Sequence, residues 1–141
     1  MEKITYKITS PNKMTELGQS LAKSLSGGDV ILLSGELGAG KTVFAKGIAK
    51  GLNVVAQVVS PTFTIMNEYF GTYKFCHFDA YRLESADEAE EAGLTDFIGA
   101  EDTVCAVEWW SNIRELFYGL NTIHVTINKI SDKIREVIVE R

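Results

Sequence analysis

Asp29-Val-Ile-Leu-Leu-Ser34 runs directly into Gly35-Glu-Leu-Gly-Ala-Gly-Lys41-Thr42. The first six residues form an apolar, β-branched run, the pattern of a strand buried on both faces. The next eight match G-x-x-x-x-G-K-[ST] in full. Such a string arises by chance at a modest rate, so its surroundings decide how it reads. Here a buried strand stands immediately before it. A helix is expected from about Lys41, with Phe44, Ile48 and Leu52 recurring every fourth residue. Glycines let the backbone wrap tightly and point several N–H groups inward as an anion nest. The helix N-terminus adds the positive end of its dipole. Lys41 is placed to neutralise phosphate charge, and Thr42 to offer its hydroxyl to Mg²⁺. Gly35, Glu36, Leu37, Gly38, Ala39, Gly40, Lys41 and Thr42 are therefore the candidate nucleotide-binding residues.

On the N-terminal side, Ile4, Tyr6 and Ile8 alternate, predicting a strand over Lys3–Ile8. Ser10-Pro11 reads as a helix start, serine as cap and proline at the first helical position. Met14, Leu17, Leu21 and Leu25 continue at helical spacing until Ser26-Gly27-Gly28. On the C-terminal side, strands are expected at Phe63–Tyr69, Tyr73–Phe78, Thr103–Glu108, Thr122–Asn128 and Lys133–Glu140. The pairs around Gly71 and Ile130-Ser131-Asp132 read as hairpins. Short helices fit Ala86–Ala92 and Asn112–Phe117. The pattern predicts one α/β domain over residues 1–141, P-loop NTPase-like. Its mixed, mostly parallel sheet is flanked by helices and carries antiparallel hairpins.

The chain has 141 residues and a formal charge of −5, with 45% hydrophobic and 23% charged residues. That length and balance suit one globular domain and argue against a disordered chain. No apolar run approaches membrane-spanning length, and MEKITYKI lacks the apolar core of a signal peptide, so a cytoplasmic location is expected. The net acidity argues against indiscriminate binding to nucleic-acid phosphates. It is also local. Leu83–Asp102 holds eight acids (Glu84, Asp87, Glu88, Glu90, Glu91, Asp96, Glu101, Asp102) and no Lys or Arg, leaving the rest of the chain at +3. That stretch reads either as a solvated face or as a surface steering a basic partner. Cys76 and Cys105 lie in apolar runs without the companions of a metal site and read as buried small hydrophobes.

A P-loop protein also needs an acid at the end of a second buried strand. Val104-Cys105-Ala106-Val107-Glu108 supplies one, and Glu108 is the candidate for Mg²⁺ or for the attacking water. Asp79 ends another strand, on one face with Phe75 and His77. It reads either as a carboxylate reaching the phosphate or as the start of a turn into Ala80-Tyr81-Arg82. His77 reads as a hydrogen-bonded structural histidine, and His124 as structural or surface. Ser60-Pro61-Thr62-Phe63-Thr64 sits where P-loop switches place a threonine sensing the γ-phosphate and Mg²⁺, or is a β-turn with polar flanks. Asn128-Lys129-Ile130-Ser131 departs from the guanine-reading N-K-x-D at its acid, which favours ATP over GTP. For the adenine, Arg135 and the segment around Thr9–Pro11 are candidate contacts.

GELGAGKT, SPTFT, HFDAYRL and AVEW, in this order and at these spacings, resemble the TsaE family, and the likeness spans nearly the whole chain. The resemblance implies a small ATPase using ATP and Mg²⁺. Its partners would be the TsaD and TsaB proteins, which attach threonylcarbamoyl to adenosine 37 of tRNAs reading ANN codons; tRNA would be met only through that complex. It implies Asp79 and Glu108 as catalytic residues, Thr62 as a nucleotide contact in a switch, and Thr42 with Glu108 as the metal pair. Trp110 stands where a proline is common in the family. Two rival functions remain: a kinase acting on a small molecule or nucleoside, and a non-catalytic nucleotide-binding module. No arginine-rich lid favours the first, and both acids are present against the second.

Overall fold

A computed structural model describes residues 2–61 and 65–141. In chain order its elements are β1 (Lys3–Ile8), α1 (Pro11–Ala22), β2 (Val30–Ser34), α2 (Lys41–Gly51), β3 (Met66–Phe70), β4 (Lys74–Asp79), α3 (Ala86–Glu91), β5 (Thr103–Glu108), β6 (Thr122–Lys129) and β7 (Arg135–Glu140). Two 3₁₀ segments, Leu94–Asp96 and Trp110–Phe117, flank β5. The strands form one sheet in the order β1-β7-β6-β2-β5-β4-β3. Its centre is parallel, with β2 between β6 and β5, and β5 next to β4. Its flanks are antiparallel, as the two expected hairpins β3–β4 and β6–β7 require, and β1 closes the edge on β7.

Residues alternate across each strand, so the sheet has two apolar faces. Ile31 and Leu33 of β2, with Phe75, Val104, Ala106, Val125 and Val137, share a core with Met14 and Ala22 of α1 and Phe44, Ala45 and Ile48 of α2. Val30 and Leu32 face the other way, with Cys76, Phe78, Cys105 and Val107, towards α3 and the 3₁₀ segments. Burying each of these phenylalanines is worth about 1.5–3 kcal/mol. Both cysteines are buried free thiols, side by side in the β4–β5 register. The hydrogen-bonded Cys76 thiol beside it, and then burial, push the Cys105 pKa far up, so it acts as an apolar filler.

Ser10 caps α1, its Oγ accepting from Lys13 N at 3.2 Å, with Pro11 opening the helix. The helix stops at Ala22, short of the expected Leu25, which packs from the following turn. α1 and α2 approach through glycine. A Cβ at Gly47 would lie 2.3 Å from Thr15 O, and one at Gly18 would lie 2.5 Å from Phe44 O. An exposed helical Gly→Ala change stabilises by about 1 kcal/mol. Here the backbones leave no room, and Gly47→Ala is expected to destabilise by about 1–3 kcal/mol. Chemical denaturation of the variant checks this; equal or greater stability would show that the helices separate freely.

The expected helix over Asn112–Phe117 is instead a 3₁₀ segment starting at Trp110 and kinked at Ile113 (φ −131°). Tertiary contacts explain it. Trp110 donates Nε1–H to Ser34 Oγ at 3.0 Å and meets the His124 ring edge-on at 5.2 Å, while Ile113 is fully buried. The expected start of the third strand at Phe63, and Thr62 before it, lie outside the described residues. No described helix is long and apolar enough to cross a membrane.

Candidate functional site

The carboxyl ends of β2, β5 and β4 open on one edge of the sheet, where α/β proteins bind ligands. Gly35–Gly40 leaves β2 there and turns into α2. Gly38 and Gly40 have φ of +81° and +116°, a region open to glycine and costly for other residues. Gly40 is the residue before α2 and gives it no side-chain cap, whereas serines cap α1 and α3. The first N–H groups of α2 therefore face the loop mouth without a side-chain acceptor, an arrangement suited to an anion.

Lys41 Nζ stands 3.5 Å from Glu108 Oε1. Glu108 Oε2 is 2.8 Å from His77 Nε2. All three are largely or fully buried, and His77 has no exposure at all. His77 and Glu108 sit on adjacent strands with side chains on the α2 side of the sheet. Burial opposes the charged carboxylate. The hydrogen bond and charge of His77, with the charge of Lys41, outweigh that cost and hold the Glu108 carboxyl below its usual range. Glu108 is thus an ionised acceptor fixed from two sides. His77 is the hydrogen-bonded histidine expected, and its bond to Glu108 orients that carboxylate. Its Nδ1 has no partner among the described residues.

Asp79 pairs with Glu108 in the β4–β5 register. Its Oδ1 accepts from Tyr81 N at 3.0 Å. It starts the turn, and it also lines a cavity of about 540 Å³ with Leu37, Lys41, Thr42, Glu108 and Trp109. Gly38, Gly40, Val43, Ser60 and Tyr81 complete the lining. Of the loop, Gly35 and Ala39 line neighbouring cavities, and Glu36 lines none of the three. Leu37 is almost wholly exposed.

Trp109 has a left-handed backbone (φ 58°), unusual for a bulky residue and a mark of a constrained position. Its ring is half-exposed, meets Tyr81 edge-on at 5.0 Å and lies 5.8 Å from Lys41 Nζ. It is a rim residue of this cavity, outside the core and outside the cavity next door. That second cavity, about 340 Å³, lies between the start of α1 and the β6–β7 turn. Thr9, Pro11, Met14, Ala39, Asp132 and Arg135 are among its walls, so both candidate adenine segments meet there. The Asn128–Ser131 stretch forms the hairpin. Asn128 donates to Glu136 Oε1, and Ser131 Oγ accepts from Ile134 N. The eight acids of Leu83–Asp102 are all exposed. Ser85 caps α3 through Glu88 N, and Glu88 Oε2 accepts from Glu84 N.

Oxygen donors from Thr42, Asp79 and Glu108 around one cavity suit a hard cation such as Mg²⁺, which takes one or two protein oxygens and completes its shell with phosphate and water. A buried strand, a glycine loop, an uncapped helix start and an acid on the adjoining parallel strand define a P-loop type of α/β domain. The family model described as Threonylcarbamoyl adenosine biosynthesis protein TsaE matches residues 8–137, and the chain belongs to that family. The tRNA threonylcarbamoyladenosine biosynthesis protein TsaE of Bacillus subtilis is 37% identical over 138 residues, spanning 97% of this chain and 85% of its own length. Its namesake in Streptomyces coelicolor is 38% identical, over 89% of this chain and 88% of its own. The crystal structure of Bacillus subtilis YdiB matches with a TM-score of 0.79 at 30% identity, covering 98% of this chain and 84% of that one.

Proposed function

We propose that the protein binds Mg-ATP at Gly35–Thr42, hydrolyses it, and thereby supports threonylcarbamoylation of adenosine 37 in tRNA together with a TsaD–TsaB complex. Relatives named for tRNA threonylcarbamoyladenosine biosynthesis support the pathway. The observation that carries the nucleotide reading is the buried Lys41–Glu108–His77 chain at the mouth of the uncapped helix. Lys41 would exchange its carboxylate contact for phosphate oxygens. Thr42 and Glu108 would hold Mg²⁺, which supplies charge neutralisation on the phosphates. Glu108, anchored by His77, keeps its charge there and faces the metal or the attacking water. The apolar cavity beside Thr9–Pro11 would take the adenine. Thr62 is proposed as the switch contact. Trp109 and Tyr81, exposed on the cavity rim, would let a partner sense the site.

Phosphate release under steady-state conditions tests this reading. Mg²⁺-dependent release without any acceptor supports an ATPase. Release or transfer only with a small hydroxyl acceptor would make it a kinase, and binding without turnover, alone and with the TsaD–TsaB complex, a passive module. Asp79 gives a sharper expectation. Asp79→Asn keeps an oxygen for the Tyr81 N–H and should leave stability within about 0.5 kcal/mol. Its turnover should fall about tenfold or more while Mg-ATP affinity holds, because an acid acting on the attacking water matters chiefly in the transition state. Calorimetric titration beside a turnover assay checks this; full turnover would confine Asp79 to its turn.

A further inference from the structure

Arg135 opens β7, and its guanidinium lies against the outer side of the glycine loop. Nε donates to Ala39 O at 3.0 Å and Nη2 to Gly38 O at 3.3 Å. Nη1 faces the β6–β7 turn, donating to Ser131 O at 2.6 Å, with Ile134 O at 3.3 Å and Asp132 O at 3.4 Å. All three nitrogens are engaged by backbone carbonyls. Among the described residues no carboxylate lies within ion-pair distance of this cation. A planar fork with fixed donor directions ties two segments that are far apart in the chain.

We propose that Arg135 is a positioning residue for the phosphate loop, holding the Gly38 and Ala39 carbonyls outward so that the loop is set for phosphate before it binds. This rests on the reading of Gly35–Thr42 as a nucleotide site. In a trans peptide the N–H points away from the C=O. Arg135 on the Ala39 carbonyl therefore turns the Gly40 N–H to the opposite side. The Ala39 N–H is already committed to Glu36 O at 3.1 Å. The glycines at 38 and 40 give the loop little intrinsic stiffness, so an external clamp is what keeps these peptides from turning over. A loop that must be ordered at the moment of binding loses affinity to that ordering. The same bonds bear on the adenine expectation. Arg135 is a wall of that second cavity, and its second Nη2–H is the donor these bonds leave over.

The test compares wild type, Arg135→Met and Arg135→Lys, using Mg-ATP and inorganic tripolyphosphate with Mg²⁺ as probes. Tripolyphosphate has no base, so it isolates the loop. Arg135→Met should weaken both ligands by the same factor, about tenfold, the scale of a lost pair of charge-assisted hydrogen bonds. It should also speed amide exchange at Gly38–Lys41 while leaving β2 unchanged, which a general loss of stability would not do. Arg135→Lys keeps the charge but offers one nitrogen in place of three, and should recover only part of the affinity. Weaker ATP binding with unchanged tripolyphosphate binding would make Arg135 a base contact and overturn the proposal. Full recovery by lysine would reduce it to a point charge and also overturn it. If wild type binds neither ligand, the nucleotide reading fails. Amide exchange then decides the clamp alone: faster loop exchange in the variants supports it, and unchanged exchange refutes it.

Discussion

Lys41→Ala lowers the affinity for Mg-ATP by about ten- to a hundredfold and stops turnover. Nζ is the one side-chain cation among the described residues lining the proposed phosphate cavity, and it stands 3.5 Å from Glu108 Oε1 there. Losing one charge-assisted contact to phosphate costs about 1.5–3 kcal/mol. The fold should survive, because Glu108 keeps its bond to His77. Titration calorimetry and phosphate release read the two effects separately. Unchanged affinity and turnover in a folded variant would remove the loop from the account.

Glu108→Gln separates chemistry from binding. Glutamine keeps an oxygen for the His77 ring and removes the charge, so the folded state should hold and Mg-ATP affinity should change no more than a fewfold. Turnover should fall about a hundredfold or more, the scale of a lost catalytic carboxylate. Glu108→Ala differs: it leaves His77 fully buried with neither ring nitrogen bonded. It should cost about 1–3 kcal/mol of stability, the penalty for an unsatisfied buried polar group. Denaturation curves distinguish the two variants. Equal stability of both would mean that the 2.8 Å bond contributes nothing to the fold.

What could be read in the chain depended on how local the signal was. Lys3–Ile8 and Thr103–Glu108 emerge with the expected bounds, one from strict alternation and the other from an unbroken apolar run closed by Glu108. Ser10-Pro11 caps α1 because the capping chemistry is complete within four residues. The glycine loop was legible for the same reason. Contacts distant in sequence were silent. Gly18 and Gly47 carry no hydrophobic signal, yet they set the approach of α1 to α2. Trp110 left its neighbours without a regular helix because its indole is drawn to Ser34, 76 residues away. His77 shared a strand face with Asp79 in the sequence pattern. Its partner Glu108 became visible only once the sheet order placed β4 beside β5. Arg135 stood out as a cation near the adenine candidates, but its grip on Ala39 crosses 96 residues and has no local trace.

The most direct test is multiple-turnover threonylcarbamoylation of tRNA, with tRNA in excess over a TsaD–TsaB complex supplied with ATP, Mg²⁺ and threonylcarbamoyl donor. Wild-type protein should sustain many rounds, and Glu108→Gln, still binding nucleotide, should stall after about one. Equal modification over many rounds with wild type, with Glu108→Gln and with no added protein would contradict the proposed coupling of this ATP site to tRNA modification.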